Sequence, residues 1–159
     1  MDRLPAIVKL AISVAVPLIG GFISSLLSMQ NIKSFYLSLD KPSFAPPSWV
    51  FGPAWTVLYI LMGIAAFLIW NKGLNTEGVI PALGFYLIQL ALNFSWTPIF
   101  FRFQSILGAL VVIIILWIAI IITTVLFWRL NKIAGLLLVP YLLWVTFATA
   151  LNYYILRLN

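Results

Sequence analysis

The sequence predicts an all-α integral membrane protein that crosses the bilayer five times. Of its 159 residues, 64% are apolar and 8% are charged, whereas soluble domains are roughly 45–50% apolar and about 25% charged. A soluble fold of this length could not bury so much apolar surface, so lipid must be the solvent. Five apolar runs are long enough to cross a hydrocarbon core of about 30 Å as helices, at about residues 6–29, 49–70, 80–101, 106–128 and 133–156. No polar linker divides the chain, so a single domain is predicted over residues 1–159.

The first run, residues 6–29, has Arg3 and Lys9 near its start, as a signal peptide would. It is longer than a signal-peptide core, and no small-residue cleavage site follows it, so we expect a retained first helix. Small side chains along the run would allow another helix to approach closely: Gly21, Ser24, Ser25 and Ser28.

The connection between the first two runs, residues 30–48, is long and patterned. Ile32, Phe35, Tyr36 and Leu39 recur at helical spacing, which predicts a short amphipathic helix within this loop. The proline-rich segment that follows cannot be helical. A loop this structured usually has a function, and we expect it to act as a lid through Tyr36, Lys41, Phe44, Pro46 and Pro47.

The second, third and fifth runs each present an aromatic stripe at helical spacing, and two of the stripes include an amide. The positions are Trp55 and Tyr59, then Gln89, Asn93 and Trp96, then Trp144, Ala148 and Asn152. An unpaired amide is costly in lipid, so the two asparagines should face the bundle interior. They would either bond neighbouring helices or orient a flat apolar ligand in an aromatic pocket. The fourth run is apolar nearly all round, and we expect its broad face to contact lipid.

The rarer residue types exclude several functions. The chain has no Cys and no His, and its three acids, Asp2, Asp40 and Glu77, all lie outside the runs. These absences argue against metal sites, a haem ligand and a two-carboxylate hydrolase. Ion-coupled transport usually needs an ionisable residue at mid-membrane. The runs have none there, which argues against coupled transport. The net charge of +6 comes from basic residues placed singly near the ends of the runs, so we interpret them as interfacial anchors rather than a nucleic-acid surface.

Three ordered motifs resemble those of one known family. They are KPSFAPPSWVFGPAWTVLY at residues 41–59, ALNFSWTPIFF at 91–101 and PYLLWVTFATALNY at 140–153. The chain resembles the tryptophan-rich sensory protein or translocator protein family (TspO/MBR, also called the peripheral benzodiazepine receptor family). One departure is Phe44, where the family usually has Trp.

The resemblance implies a five-helix bundle, often a homodimer, in the cell membrane. It implies a cavity for porphyrins such as protoporphyrin IX or for similar flat hydrophobic ligands, beneath the first loop. The implied wall consists of Trp49, Trp55, Tyr59, Asn93, Trp96, Trp144 and Ala148. Some members promote light- and oxygen-dependent porphyrin breakdown, and the two Trp that carry it in the family match Trp55 and Trp144.

The family's sterol motif would match Leu151, Tyr153 and Arg157. That pattern is weak by itself, and an ordinary helix end with an interfacial Tyr and a snorkelling Arg fits as well.

Three functions follow as hypotheses. The first is a receptor or carrier for porphyrins, with Lys33 and Lys41 as candidate partners of the propionates and with porphyrin as ligand rather than as a resident cofactor. The alternative is an enzyme that degrades porphyrin under light. The third is a scaffold whose aromatic residues only pack.

Overall fold

The computed structural model describes residues 3–159 and contains five long helices, all long and apolar enough to cross a membrane. They are α1 (Ala6–Ser38), α2 (Phe51–Trp70), α3 (Val79–Thr97), α4 (Ile106–Leu130) and α5 (Lys132–Leu158). A short 3₁₀ turn at Ser48–Val50 precedes α2, and a turn of π-helix at Pro98–Arg102 extends α3. The prediction of an all-α, five-crossing bundle is confirmed. Of the acids, Asp40 and Glu77 lie in loops, and Asp2 lies outside the described residues.

Helix α1 is longer than predicted. The segment expected to form a separate amphipathic helix is helical, but it continues α1 without a break to Ser38. The physical reason is that residues 30–38 contain neither Pro nor Gly, so nothing interrupts the backbone hydrogen bonds where the sequence becomes more polar. The predicted apolar face does pack inward, with Tyr36 and Leu39 buried and Ile32 and Phe35 against them. The loop between the two helices therefore comprises residues 39–47, and we call it the α1–α2 loop. We call the end of the bundle that carries this loop the loop side.

The helices are arranged around the bundle in the order α1, α2, α5, α4, α3. Helices α2 and α3 follow each other in the chain but touch far less than α2 touches α1 and α5. Close approach of α1 to α2 depends on glycine, because a Cβ at Gly63 would lie 2.6 Å from the carbonyl oxygen of Ser13. Gly21 likewise lies against the Tyr59 ring.

Helix α4 packs against both α3 and α5 along one face. Ile113, Leu116 and Ile120 are buried on this face, whereas Ile114 and Ile118 are exposed. The exposed face is the one expected to contact lipid.

A proline links α1 to the end of α3. Pro98 has no N–H to donate to the carbonyl of Phe94 four residues earlier. That carbonyl instead accepts a hydrogen bond of 2.6 Å from the Ser24 hydroxyl on α1. The π-turn that follows brings two consecutive side chains, Phe100 and Phe101, into the interior with ring centroids 4.8 Å apart.

Candidate functional site

A cavity of about 470 Å³ lies in the loop-side half of the bundle, and residues from all five helices line it. Its volume falls in the range of roughly 300–1,000 Å³ that is typical of small-molecule sites. Its lining includes Leu18, Gly21 and Tyr36 from α1, Phe51, Trp55 and Tyr59 from α2, Trp96, Phe100 and Phe101 from the end of α3, Ile113 from α4, and Trp144, Ala148 and Asn152 from α5.

Aromatic rings form two opposed parts of the wall. On α2, Trp55 stacks on Tyr59 with centroids 5.5 Å apart, because residues four apart share a helix face. The Trp55 ring also meets Trp144 of α5 edge to face at 6.4 Å. On the other side, Trp96 stacks on Phe100 at 5.1 Å. These surfaces suit a flat aromatic or polycyclic ligand.

The cavity wall is electrically neutral. Among the residues that the structure describes, no Lys, Arg, Asp or Glu lines the cavity. The polar groups of the lining residues are hydroxyls, such as those of Ser25, Ser48 and Thr97, the indole N–H groups of the tryptophans and the amide of Asn152. The Asn152 side chain is held in place, since it accepts from Trp96 Nε1 at 3.1 Å and donates to the Ile106 carbonyl at 3.1 Å. This wall can orient a ligand through hydrogen bonds but cannot neutralise a charge within it.

Directly below the cavity, a chain of hydrogen bonds joins α2, α3 and α5. Tyr59 donates to Asn93 Oδ1 at 2.7 Å, and Asn93 Nδ2 donates to the Tyr141 hydroxyl at 2.8 Å. Tyr141 in turn donates to Gln89 Oε1 at 2.6 Å. Asn93, Tyr141 and Gln89 are all buried, and we call these four residues the polar chain. Asn93 therefore bonds neighbouring helices, one of the two roles that the sequence left open, whereas Asn152 both lines the cavity and joins helices.

The α1–α2 loop is fastened over this end of the bundle. The Tyr36 hydroxyl donates to the Pro46 carbonyl at 2.7 Å. The side-chain amide of Asn159, at the end of α5, forms two hydrogen bonds with the backbone of Asp40, at 3.1 and 2.8 Å. Phe44 rests edge-on against Phe147 and Tyr154 of α5.

Lys41 lies just beyond the C-terminal end of α1 and contacts it. Its ammonium donates to the carbonyls of Tyr36 and Leu39 at 2.7 and 3.0 Å, and it lies 4.7 Å from the centre of the Tyr36 ring. The last carbonyls of a helix lack intrahelical partners and attract cations. Lys41 therefore caps α1 through two of the three N–H groups of its ammonium, and its expected contact with a ligand carboxylate stays a prediction.

The structure brings five of the seven predicted wall residues together: Trp55, Tyr59, Trp96, Trp144 and Ala148 line the cavity. Two lie elsewhere. Trp49 is 73% exposed in the turn before α2, and Asn93 belongs to the polar chain under the cavity. Pro47 immediately precedes that turn.

The residues of the sterol motif do not share one surface. Leu151 is buried and lines the cavity, whereas Tyr153 is 44% exposed and Arg157 is also exposed. Residues two apart point to different faces of a helix, so Leu151 and Tyr153 face different surroundings.

Phe100 follows Trp96 by four residues, the spacing of the stripe predicted on the third run, and it lines the cavity. Phe51 was not anticipated as a wall residue, although it lies one helical turn before Trp55 and helical spacing would have indicated it. Phe101 was not detectable in this way, because only the π-turn brings it inward beside Phe100.

Five membrane-crossing helices around a neutral, aromatic-walled cavity define a multi-pass membrane receptor. The model of the TspO/MBR family matches residues 13–158, and the chain belongs to this family. It is 44% identical over 153 residues to the tryptophan-rich protein TspO of Archaeoglobus fulgidus, covering 96% of this chain and 98% of that protein. It is 41% identical over 145 residues to the human translocator protein, covering 90% and 85% of the two chains. The tryptophan-rich sensory protein of Cereibacter sphaeroides is 45% identical over 125 residues, which are 79% of this chain and 77% of that one.

Proposed function

We propose that the protein is a receptor or carrier that binds a porphyrin such as protoporphyrin IX in its cavity. The observation that carries this proposal is the shape and chemistry of the wall: stacked aromatic rings on two sides, no charged side chain among the described lining residues, and about 470 Å³ of space. Each well-placed aromatic contact would contribute about 0.5–1.5 kcal/mol beyond simple burial of area. A few such contacts, together with the buried apolar area, suffice for tight binding of a flat ring.

The neutral wall also determines how a porphyrin would be oriented. Its two propionates are charged, and burying an unpaired carboxylate is very costly. The macrocycle would therefore enter with an apolar edge first, and the propionates would stay at the headgroup level. Lys41 is engaged by the end of α1 through two of its three N–H groups, so of the two lysines considered, the exposed Lys33 is the freer to meet a propionate.

A titration in the dark tests the proposal. Porphyrin bound beside Trp55 and Trp144 should quench tryptophan fluorescence saturably. Replacing Ala148 with Phe would fill part of the cavity and should weaken binding at least about tenfold, or 1.4 kcal/mol. Leu143→Phe is the matched control, because Leu143 is 65% exposed on the same helix. Absence of saturable quenching, or equal affinities for the two variants, would refute the cavity as the porphyrin site.

A second candidate function is light-dependent porphyrin breakdown. The observation that favours it is the edge-to-face contact of the Trp55 and Trp144 rings in one wall of the cavity. An excited porphyrin held there would take an electron from an adjacent indole and pass it to O₂, which becomes superoxide. The oxidised indole would then regain an electron from the macrocycle, and the porphyrin radical cation would combine with the superoxide, so that the porphyrin is oxidised by O₂ and the indole is restored. Trp55→Phe and Trp144→Phe should then slow the loss of bound porphyrin under light and leave binding in the dark largely intact. Loss at the wild-type rate in both variants would exclude a redox role for the indoles.

A further inference from the structure

We propose that the ligand enters the cavity sideways from the bilayer, through a gap between α1 and α2 on the loop side, rather than past the α1–α2 loop. The inference rests on the proposed function in that it takes a porphyrin as the ligand. It adds a route of entry and identifies the residues that border it.

The first support is the location of the exposed part of the wall. Among the described residues that line the cavity, four are exposed: Phe22 and Ser25 on α1, and Gly52 and Thr56 on α2. The lining residues on α3, α4 and α5, and in the π-turn, are all buried or half-buried. The cavity is thus open along one seam of the bundle, where α1 faces α2.

The second support is that small side chains leave this seam unfilled. Further from the loop side, α1 and α2 touch closely at Gly63 and at the contact between Gly21 and Tyr59. Because the two helices are antiparallel, one turn nearer the loop side Ser25 comes opposite Trp55 and Thr56. At Gly52 an added Cβ would meet no atom within 4 Å. The large side chain at the seam is Phe22, which is 64% exposed and can rotate aside.

The depth of the gap points to lipid rather than water outside it. The exposed Trp49 indole next to the start of α2 is typical of the headgroup level. Gly52 and Thr56 follow by three and seven residues, which places them about 5–10 Å deeper along the helix axis. The gap therefore opens onto the outer part of the acyl chains. A molecule with an apolar ring and carboxylates at one edge would reside at that depth, with its ring level with the gap.

The third support is that the alternative route is closed. Moving the α1–α2 loop away would break the Tyr36–Pro46 bond, the two bonds between Asn159 and Asp40, and the packing of Phe44 on α5. Opening the seam requires none of these changes.

Binding kinetics test the proposal. The protein is reconstituted in liposomes, and association and dissociation of protoporphyrin IX are followed in the dark by tryptophan quenching. Gly52→Leu should obstruct the gap and slow both association and dissociation, each about tenfold. Because Gly52 also lines the cavity, the decisive result is the slower dissociation: an obstructed passage raises the barrier in both directions, whereas a disturbed wall contact would speed dissociation. Gly84→Leu is the matched control, since a Cβ at Gly84 also meets nothing within 4 Å and Gly84 is far from the seam, on α3.

Asn159→Ala distinguishes the two routes, because it removes two of the bonds that fasten the loop without altering the seam. Entry through the seam predicts unchanged rates for this variant. Faster association in Asn159→Ala together with normal rates in Gly52→Leu would overturn the proposal in favour of the loop. Faster dissociation in Gly52→Leu with unchanged association would also overturn it, since the new side chain would then disturb the cavity wall without obstructing a passage.

A measurement without porphyrin separates failure of the gap from failure of the proposed function. The chain has no cysteine, so a single spin label can be attached at Ser25→Cys. Molecular oxygen, which concentrates in lipid, should relax this label strongly, and it should relax a label at the fully buried Ser28→Cys weakly. Equal protection at the two positions would mean that the seam is closed. A porphyrin that does not bind, combined with an accessible Ser25 label, would refute the proposed function and leave an open seam for another ligand.

Discussion

Removing one hydroxyl from the polar chain should destabilise the bundle measurably. Tyr141→Phe deletes the group that accepts from Asn93 and donates to Gln89, and it leaves Asn93 Nδ2 and Gln89 Oε1 without these partners in an apolar interior. An unpaired buried polar group costs about 1–3 kcal/mol, while single interhelical hydrogen bonds in a membrane protein average about 0.6 kcal/mol. With two bonds lost, the free energy of unfolding should fall by about 1–3 kcal/mol, a factor of about 5–150 in the unfolding equilibrium constant. Unfolding by SDS in mixed micelles, followed by tryptophan fluorescence or circular dichroism, measures this change.

The control is Tyr154→Phe, which removes a hydroxyl from an exposed tyrosine on the same helix. The pairing itself is tested by combining Tyr141→Phe with Gln89→Leu. If the two side chains stabilise the bundle through their mutual bond, the double variant should be less destabilised than the two single changes together predict, by about 0.5–3 kcal/mol. Equal effects of Tyr141→Phe and Tyr154→Phe, or strictly additive effects in the double variant, would refute the reasoning.

Three further outcomes are expected. Gly63→Ala should lower the free energy of unfolding by about 1–3 kcal/mol in the same titration, because the added Cβ would meet α1 backbone atoms at 2.6 Å. Gly84→Ala is the control and should not lower it, because Gly84 has open space around it. Asn131→Ala should cost about 1 kcal/mol, because the Asn131 side chain accepts from the N–H groups of Ile133 and Ala134 in the first turn of α5, at 2.9 and 3.2 Å. The exposed Asn75 is the comparison site, and equal losses there would contradict the capping role. Tyr36→Phe should speed amide hydrogen exchange in residues 39–47 and leave exchange in α4 unchanged, because it removes the bond from Tyr36 to Pro46. Unaltered exchange in residues 39–47 would show that this bond does not fasten the loop.

The number and limits of the crossings were predictable because bilayer thickness and helix rise together fix the length of a span. Four of the five predicted runs match their helices to within a few residues. The end of α1 was not predictable in this way, because the prediction followed the loss of apolar character after Met29. The backbone has no reason to end a helix there, since the next helix-breaking residue is Pro42.

The site was predictable where helical spacing alone decides which side a residue faces. Trp55 and Tyr59 share a face because they are four apart, and Trp49, six residues before Trp55, falls on a different face and points outward. Asn93 lies on the same face of α3 as Trp96, but it is about one turn further from the loop side, so it lies under the cavity instead of in its wall.

The role of Lys41 depended on where α1 ends, and this could not be inferred while α1 was expected to stop at residue 29. Once α1 extends to Ser38, its unpaired carbonyls lie within reach of the ammonium. The assignment of a charge to a ligand or to a helix end thus follows from the helix boundary rather than from the local motif.

The position of α5 between α2 and α4 has a consequence for biosynthesis. A chain emerges from the ribosome N-terminus first, so α1 to α4 are made before the helix that separates α2 from α4. Until α5 is inserted, the amides of Gln89 and Asn93 are in the membrane without the Tyr141 hydroxyl that joins them, and the aromatic wall lacks Trp144. Quality-control machinery that detects polar groups exposed to lipid would therefore recognise a nascent chain that stops before α5 as incomplete.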